Sequence, residues 1–144
     1  MSLDRQVLAE RAIAVERHLE RVRLHLPEAP ERLAAGMLES DAVILHMWQA
    51  TQIVIDLAMA ACVRLGAGTP SSYGEAFRGL GDAGHLRPEL ADRLAKAAGF
   101  RKLIVHNYED LDLARVEYAA RKGPADLRAF LAAIRDASRR EDRG

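Results

Sequence analysis

The segment that most constrains the fold is the stretch AVILHMWQATQIVIDLAMAACV, which runs from Ala42 to Val63. It contains 22 residues and one formally charged side chain, that of Asp56. It is too long for one strand of an ordinary globular domain, so it predicts a helix. This length is enough to cross a bilayer, but His46 and the Asp56 carboxylate are costly in lipid. We therefore predict the central helix of a bundle, covered by protein on nearly all sides, and no membrane span.

The composition favours helices throughout the chain, because alanine, leucine, arginine and glutamate are frequent and β-branched runs are scarce. A first helix is expected over about residues 3–26. Its apolar residues are spaced by three and four and form one stripe: Leu8, Ala12, Val15, Leu19, Val22 and Leu26. Pro27 and Pro30 end this helix. A second, unusually long helix is expected over about residues 31–65, closed by the turn GAGTP.

Capping signals place the next two helices. Ser72 and Glu75 have the spacing of a capping box and should start a short third helix. Pro88, at a first-turn position, opens a fourth helix that continues to about Val105.

Two further helices are expected in the C-terminal third of the chain. Asp110 or Asp112 should cap a short fifth helix that ends near Ala119. The dipeptide Gly123-Pro124 should separate it from a last helix. The tail, from about residue 138 to residue 144, is expected to be frayed.

Composition agrees with a single domain over residues 1–144, an all-α antiparallel helical bundle with a long central second helix. The 21 basic and 21 acidic side chains balance, so contact with a nucleic acid requires a local basic patch. The single cysteine, Cys62, cannot form an internal disulfide and suggests a reducing compartment. The first residues are charged and lack an apolar signal-peptide core, so a cytoplasmic protein is expected.

Polar side chains form a strip on the long apolar helix. Gln49, Gln52 and Asp56 lie within about 60° of one another, with His46 at the edge. Burying amides and a carboxylate is costly unless partners satisfy them. In one interpretation, Asp56 pairs with an arginine of a neighbouring helix and the glutamines bond across a dimer interface. In the other, the strip borders an active cleft.

A second polar group lies in the stretch GFRKLIVHNYEDL, where Arg101, His106 and Tyr108 form the pattern R-x4-H-x-Y. On an unbroken helix Arg101 and His106 are about 140° apart, and Tyr108 lies nearly opposite His106. The three side chains cannot meet one phosphate in that arrangement. Either the helix ends near His106, or a second protomer completes the site.

These residue types suit metal-free cleavage of RNA. That reaction needs a base for the 2′-hydroxyl proton, an acid for the leaving 5′-oxygen and a positive group for the phosphorane. Histidine titrates near neutrality and suits either proton transfer, and the arginine fork matches two phosphate oxygens. One histidine cannot easily fill both proton roles, whereas a twofold dimer brings two copies of each residue to a shared cleft.

The segments FRKLIVHNYEDLD, DAVILHMWQATQIVIDLA and PSSYGEAFRGL, in this order, resemble the HepT branch of the HEPN proteins. The resemblance covers nearly the whole chain. It implies a small helical bundle that forms a homodimer and acts as the toxin of a toxin–antitoxin pair. The implied partners are an RNA substrate and an antitoxin, an MntA-type minimal nucleotidyltransferase.

The resemblance also implies roles for particular residues. Arg101 and His106 match the ribonuclease motif, and Tyr108 matches the tyrosine that the antitoxin AMPylates. Asn107 takes a variable position of the motif. Asp56, with Gln52 beside it on the strip, resembles the polar residue of the second helix near the HEPN site. AMP on Tyr108 would add bulk and negative charge two residues from His106 and keep RNA out.

Other interpretations stay open from the sequence. His106 and Arg101 are also compatible with an ordinary solvated helix end, and Tyr108 with a packing residue. The chain could be a non-catalytic HEPN module that binds a nucleotide or a nucleotidyltransferase. No cofactor or metal site is expected, because the helix face of His18, Arg21 and His25 lacks a carboxylate or cysteine partner.

Overall fold

A computed structural model describes residues 3–28, 31–106 and 108–143. These residues form five α-helices and one short 3-10 helix, and none of them lies in a strand. The helices are α1 (Arg5–His25), α2 (Leu38–Arg64), α3 (Tyr73–Asp82), α4 (Pro88–His106), the 3-10 helix (Tyr108–Asp110) and α5 (Leu113–Arg143). The predicted all-α class is therefore confirmed.

The long helix α2 is the centre of the bundle, as predicted. It packs against each of the other four α-helices. Its buried side chains, among them Val43, Val54, Ile55, Leu57 and Ala58, form the middle of the core. By length and composition alone α2 could cross a membrane, but in this fold its apolar residues are those around which the other helices pack.

The predicted start of the second helix, near residue 31, is wrong by about seven residues, since α2 begins at Leu38. Gly36 has a φ of 84°, in the left-handed region that a right-handed helix excludes. The backbone N–H of Leu33 donates to the Glu117 carboxylate at 3.0 Å instead of joining a helical ladder. Residues 31–37 are thus held as a loop by a contact with α5, which local sequence cannot reveal.

The predicted break at Gly123-Pro124 is also wrong, because α5 runs without interruption through Pro124. Proline costs about 3 kcal/mol inside a helix, but the apolar residues on both sides of it lie on one buried stripe. This stripe contains Val116, Ala120, Leu127, Phe130 and Ile134. Gly123 lets α5 approach α2 closely, since a Cβ there would lie 3.1 Å from Met47 Cε. Packing along the whole stripe outweighs the local penalty.

Other end signals are confirmed by the structure. Ser72 caps α3 by accepting from the Glu75 N–H at 3.1 Å, and α4 begins at Pro88. Asp112 caps α5 by accepting from the Ala114 N–H at 3.0 Å. The C-terminal tail differs from the expectation, because it is helical as far as Arg143.

Candidate functional site

Helix α4 carries Arg101 and His106, the first two residues of the predicted motif, and ends at His106. Arg101 and His106 are five positions apart on this helix, so their side chains leave it in directions about 140° apart. No hydrogen bond or ion pair joins them in the part of the chain that the structure describes. The helix end near His106 is as expected, but one protomer does not bring the guanidinium and the imidazole together.

Arg101 lies between aromatic side chains of two neighbouring helices. Its Cζ atom is 5.7 Å from the centroid of the Trp48 ring on α2 and 5.9 Å from that of Tyr73 on α3. Both distances fit a cation–π contact. The Arg101 Nε atom is buried and has no hydrogen-bond partner among the described residues. The guanidinium is therefore oriented by ring faces, and its donors are not used up by a carboxylate.

A cleft of about 600 Å³ opens beside Arg101, between α2, α4 and α5. Its floor includes Trp48, Phe100 and Ile104. Its rim includes five basic side chains and one acidic side chain: Arg93, Lys96, Arg101, Arg115, Lys122 and Asp126. This is the local excess of positive charge that a neutral chain needs to bind a polyanion.

Three of the five basic groups on the rim, those of Arg101, Arg115 and Lys122, form no ion pair with a carboxylate of the described residues. Arg93 forms a bidentate pair with Asp126, with its Nε atom 3.0 Å from the Asp126 Oδ2 atom. By contrast, Arg115 stacks over the Phe100 ring at 5.5 Å, and Arg101 has only its aromatic neighbours. The cleft thus combines stacking surfaces with accessible positive charge, a combination that suits single-stranded RNA.

His106 and Tyr108 are both exposed at the end of α4. The Tyr108 hydroxyl donates to Asp41 Oδ1, in the first turn of α2, at 2.6 Å. This hydrogen bond raises the pKa of Tyr108 above its usual value, with further contributions from burial and from the charge of Asp41. The phenol is therefore protonated at neutral pH, and nearly half of the side chain, 47 %, faces solvent.

The polar strip of α2 does not join Arg101 within one protomer. Asp56 accepts from Gln52 Nε2 at 2.9 Å, and no arginine of the described residues forms an ion pair with it. It lines a different groove, near Arg5 and the C-terminal end of α5. The proximity of Asp56 and Gln52 to the motif stays a prediction. Asn107, the variable position, lies outside the described residues.

His46, at the edge of the strip, has a partner on α1. Its Nδ1 atom lies 3.0 Å from Nδ1 of His18, so one imidazole donates to the other. Burial lowers the pKa of both rings, and the charges of His18, Arg21 and His25 lower that of His46 further. Elsewhere in the described ranges, no three His, Cys, Asp or Glu side chains lie close enough to hold a metal ion.

Two contacts of the motif were missed from the sequence. Tyr73 on α3 and Asp41 on α2 are held by tertiary packing, 28 and 67 positions away from Arg101 and Tyr108 respectively. Trp48 lies next to the polar strip in the sequence of α2, and its contact with Arg101 also depends on the packing of α2 against α4. The first turn of α2 carries two acidic side chains, Glu39 and Asp41, and no sequence signal separates Asp41 from Glu39.

Comparisons with known proteins give a family and two relatives. A family model described as Ribonuclease HepT-like matches residues 15–134, most of the chain and the whole motif. The mRNA nuclease HepT of Shewanella oneidensis is 28 % identical over 95 residues, 66 % of this chain and 71 % of that protein. The tRNA nuclease HepT of Aphanizomenon flos-aquae is 39 % identical over 62 residues, 43 % of this chain and 42 % of that protein.

Solved structures agree with the bundle. The tri-AMPylated Shewanella oneidensis HEPN toxin, in complex with its MNT antitoxin, superposes with a TM-score of 0.83 and 22 % identity. The match covers 92 % of this chain and 99 % of that one. A toxin–antitoxin structure with AMP-PNP gives a TM-score of 0.81 and 21 % identity, covering 91 % and 99 % of the two chains. At this level of identity the likeness establishes the fold.

Proposed function

This chain belongs to the HepT-like family of ribonucleases, and we propose that it is a toxin that cuts RNA without a metal ion. In this proposal it acts as a homodimer, with Arg101 and His106 as its catalytic residues. An MntA-type nucleotidyltransferase antitoxin neutralises it by AMPylating Tyr108. The nuclease relatives and the toxin–antitoxin complexes described above support this proposal by similarity.

The proposed reaction is an internal transphosphorylation of RNA. One His106 imidazole takes the proton of a 2′-hydroxyl, and the 2′-oxygen forms a bond to the adjacent phosphorus. The bond to the 5′-oxygen breaks, and the imidazolium of the second His106 gives that oxygen a proton. The products are a 2′,3′-cyclic phosphate and a 5′-hydroxyl. Two histidines are needed at once, so the dimer supplies the second.

The Arg101 guanidinium stabilises the charge of the phosphorane. The observation that carries this role is its setting: two ring faces hold it, its Nε atom is unpartnered, and it borders a basic cleft. An arginine with a purely structural role is normally paired with a carboxylate or a carbonyl. Because Arg101 and His106 diverge on α4, their convergence requires the second protomer.

A cleavage assay tests the nuclease proposal. Purified dimer, confirmed by intact mass to be free of AMP, should cut RNA in the presence of EDTA and leave 2′,3′-cyclic phosphate ends. His106→Ala should lower the rate by at least about 10²-fold. The control is His25→Ala, another helix-end histidine, in the last turn of α1, which should keep the wild-type rate. Undiminished cleavage by His106→Ala would remove His106 from the mechanism.

A labelling assay tests the acceptor. Incubation with the cognate nucleotidyltransferase and ATP should add one or more AMP masses to the wild type and none to Tyr108→Phe. Tyr118→Phe is the matched control, because Tyr118 is also exposed, at 68 %, and lines the cleft. Equal labelling of Tyr108→Phe and wild type would show that another residue is the acceptor.

The second candidate function is a non-catalytic module that binds a nucleotide or the nucleotidyltransferase. It is favoured by one observation: His106 is exposed and forms no hydrogen bond with any described residue that could relay its proton. This candidate also predicts AMP on Tyr108. It differs by predicting that the AMP-free dimer cuts no RNA with EDTA present.

A further inference from the structure

We propose that Asp41 positions the Tyr108 phenol, and that AMP on this phenol releases the loop between α4 and α5 from the start of α2. The loop consists of residues 108–112. This inference rests on the proposed function, because it takes Tyr108 as the acceptor. It adds a mechanism by which the modification changes the protein, beyond the bulk and charge of the AMP itself.

The contact between Tyr108 and Asp41 is a short hydrogen bond to a charged acceptor. The phenol oxygen lies 2.6 Å from Asp41 Oδ1, within the range of strong O–H···O⁻ bonds. Asp41 lies in the first turn of α2, where the helix dipole favours negative charge. The carboxylate can only accept, so the contact depends on the phenol proton.

The loop has few other attachments. Its first three residues, Tyr108, Glu109 and Asp110, are all exposed. Leu111 packs half-buried against the core, and Asp112 caps α5. The loop is thus held to the bundle by one apolar side chain and by the phenol, which reaches Asp41 in the first turn of α2.

AMP transfer removes the donor on which the contact depends. The phenol O–H bond breaks, the oxygen forms a bond to the α-phosphorus of ATP, pyrophosphate leaves, and the proton passes to solvent. The modified oxygen can no longer donate to Asp41. The new phosphodiester also carries a negative charge beside the Asp41 carboxylate, and like charges repel at this distance. The loss of the hydrogen bond frees residue 108 from α2, and the charge repulsion favours its movement away from Asp41.

Release of the loop would alter the site directly, because His106 lies two residues before Tyr108 at the end of α4. The imidazole depends on the helix end for its position, and a catalytic group is sensitive to displacements of about 1 Å. The modification would therefore disorganise His106 as well as block the approach of RNA.

Hydrogen–deuterium exchange by mass spectrometry tests the inference. We compare the peptide spanning residues 103–112 in the full-length protein before and after complete AMP transfer, with the extent of transfer verified by intact mass. Exchange should become faster by on the order of tenfold after modification. AMP on Tyr108 with unchanged exchange in this peptide would overturn the inference and leave the proposed function intact.

Variants of Asp41 separate the hydrogen bond from the charge. Asp41→Ala removes both, so its unmodified loop should already exchange fast. Asp41→Asn keeps an acceptor for the phenol and offers an N–H to the phosphate, so AMP should accelerate exchange less than in the wild type. Glu39→Gln is the control, because it removes an exposed charge from the same helix turn without contacting Tyr108. Equal acceleration by AMP in wild type and Asp41→Asn would refute the role of the carboxylate.

If the cognate enzyme adds no AMP to Tyr108, the proposed acceptor is wrong, and release by AMP is wrong with it. Positioning by Asp41 is still decided in that case, because the unmodified Asp41→Ala protein either exchanges faster in this loop or does not. The labelling assay therefore tests Tyr108 as the acceptor, and the exchange of unmodified Asp41→Ala separately tests the contact between Asp41 and Tyr108.

Discussion

Two loops are attached to this bundle by acidic side chains, and they are attached very differently. The loop at residues 31–37 is held by Glu117, whose side chain is 5 % exposed and accepts from the Leu33 N–H at 3.0 Å and from Arg32 at 2.6 Å. The loop at residues 108–112 is held by the exposed Tyr108 phenol on Asp41. The first contact is buried and multiple, whereas the second is single and open to solvent.

The difference indicates which loop is structural and which can be regulated. A buried carboxylate that satisfies a backbone N–H stabilises the fold and is inaccessible to an enzyme. An exposed phenol on one hydrogen bond costs little to detach. The loop that can be detached is also the one next to the proposed site, because it directly follows His106. Three of the following predictions test this difference between the loops, and a fourth tests the contact between α1 and α2.

The largest effect on stability is expected from Glu117→Ala. It leaves the buried Leu33 N–H without a partner, so the free energy of unfolding should fall by about 1–3 kcal/mol. Urea denaturation of the purified protein measures it. Glu117→Gln should lose less, because its amide oxygen can still accept from Leu33. Glu20→Ala, which breaks the exposed pair with Arg23, should leave the urea midpoint of unfolding nearly unchanged. If Glu117→Ala leaves the free energy of unfolding unchanged, the two loops do not differ in the way proposed here.

Acid should weaken the buried attachment. The hydrogen bond from Leu33 lowers the pKa of Glu117, as does the one from Arg32. A carboxyl with a lowered folded pKa stabilises the protein above its unfolded pKa, about 4.3, and this stability is lost as the pH falls further. The wild type should therefore lose more stability than Glu117→Gln between pH 5 and pH 3. If the free energy of unfolding falls equally in the two proteins over this pH range, the Glu117 carboxylate is not the source of the loss.

A smaller effect is expected at the exposed loop. Tyr108→Phe removes one exposed hydrogen bond, so the free energy of unfolding should change by less than about 1 kcal/mol. The same denaturation experiment measures it, with Tyr118→Phe as the control for an exposed phenol on another helix. A loss as large as that of Glu117→Ala would mean that the loop is a structural anchor and not a releasable contact.

The smallest effect concerns the histidine pair between α1 and α2. The pKa values of His18 and His46 are lowered by burial. The unfolded chain therefore binds protons before the folded one, and stability should fall as the pH drops below about 6.5. The nearby charges of Arg21 and His25 lower the pKa of His46 further. His46→Gln should show a shallower loss than the wild type between pH 7.5 and pH 5.5, and an equal slope would exclude the pair as its source.

Local patterns predicted most of the fold. The apolar stretch of α2, the cap at Ser72 and the start at Pro88 depend on residues within a few positions of each other, so sequence spacing was sufficient. The start of α2 and the continuity of α5 were predicted wrongly because they depend on distant contacts: Glu117 with Leu33, and Gly123 with Met47. Propensity carries no information about such contacts.

The site divides in the same way. The motif gave Arg101, His106 and Tyr108 as candidates from their spacing and their family resemblance. The rings that orient Arg101, and the carboxylate that holds Tyr108, belong to other helices and needed the tertiary structure. Periodicity put Asp56 on the polar strip and the family resemblance put it near the site, whereas in the protomer it lines a separate groove.

The central claim is that two copies of His106 act on one phosphodiester in a shared cleft. A heterodimer with one wild-type chain and one His106→Ala chain, purified through two different affinity tags, tests it most directly. Its RNA cleavage is measured with EDTA present, beside both homodimers. If both histidines are needed, its rate should fall by roughly 10²-fold from wild type. A rate of half the wild-type value would mean that each protomer carries its own complete site, and would contradict the account.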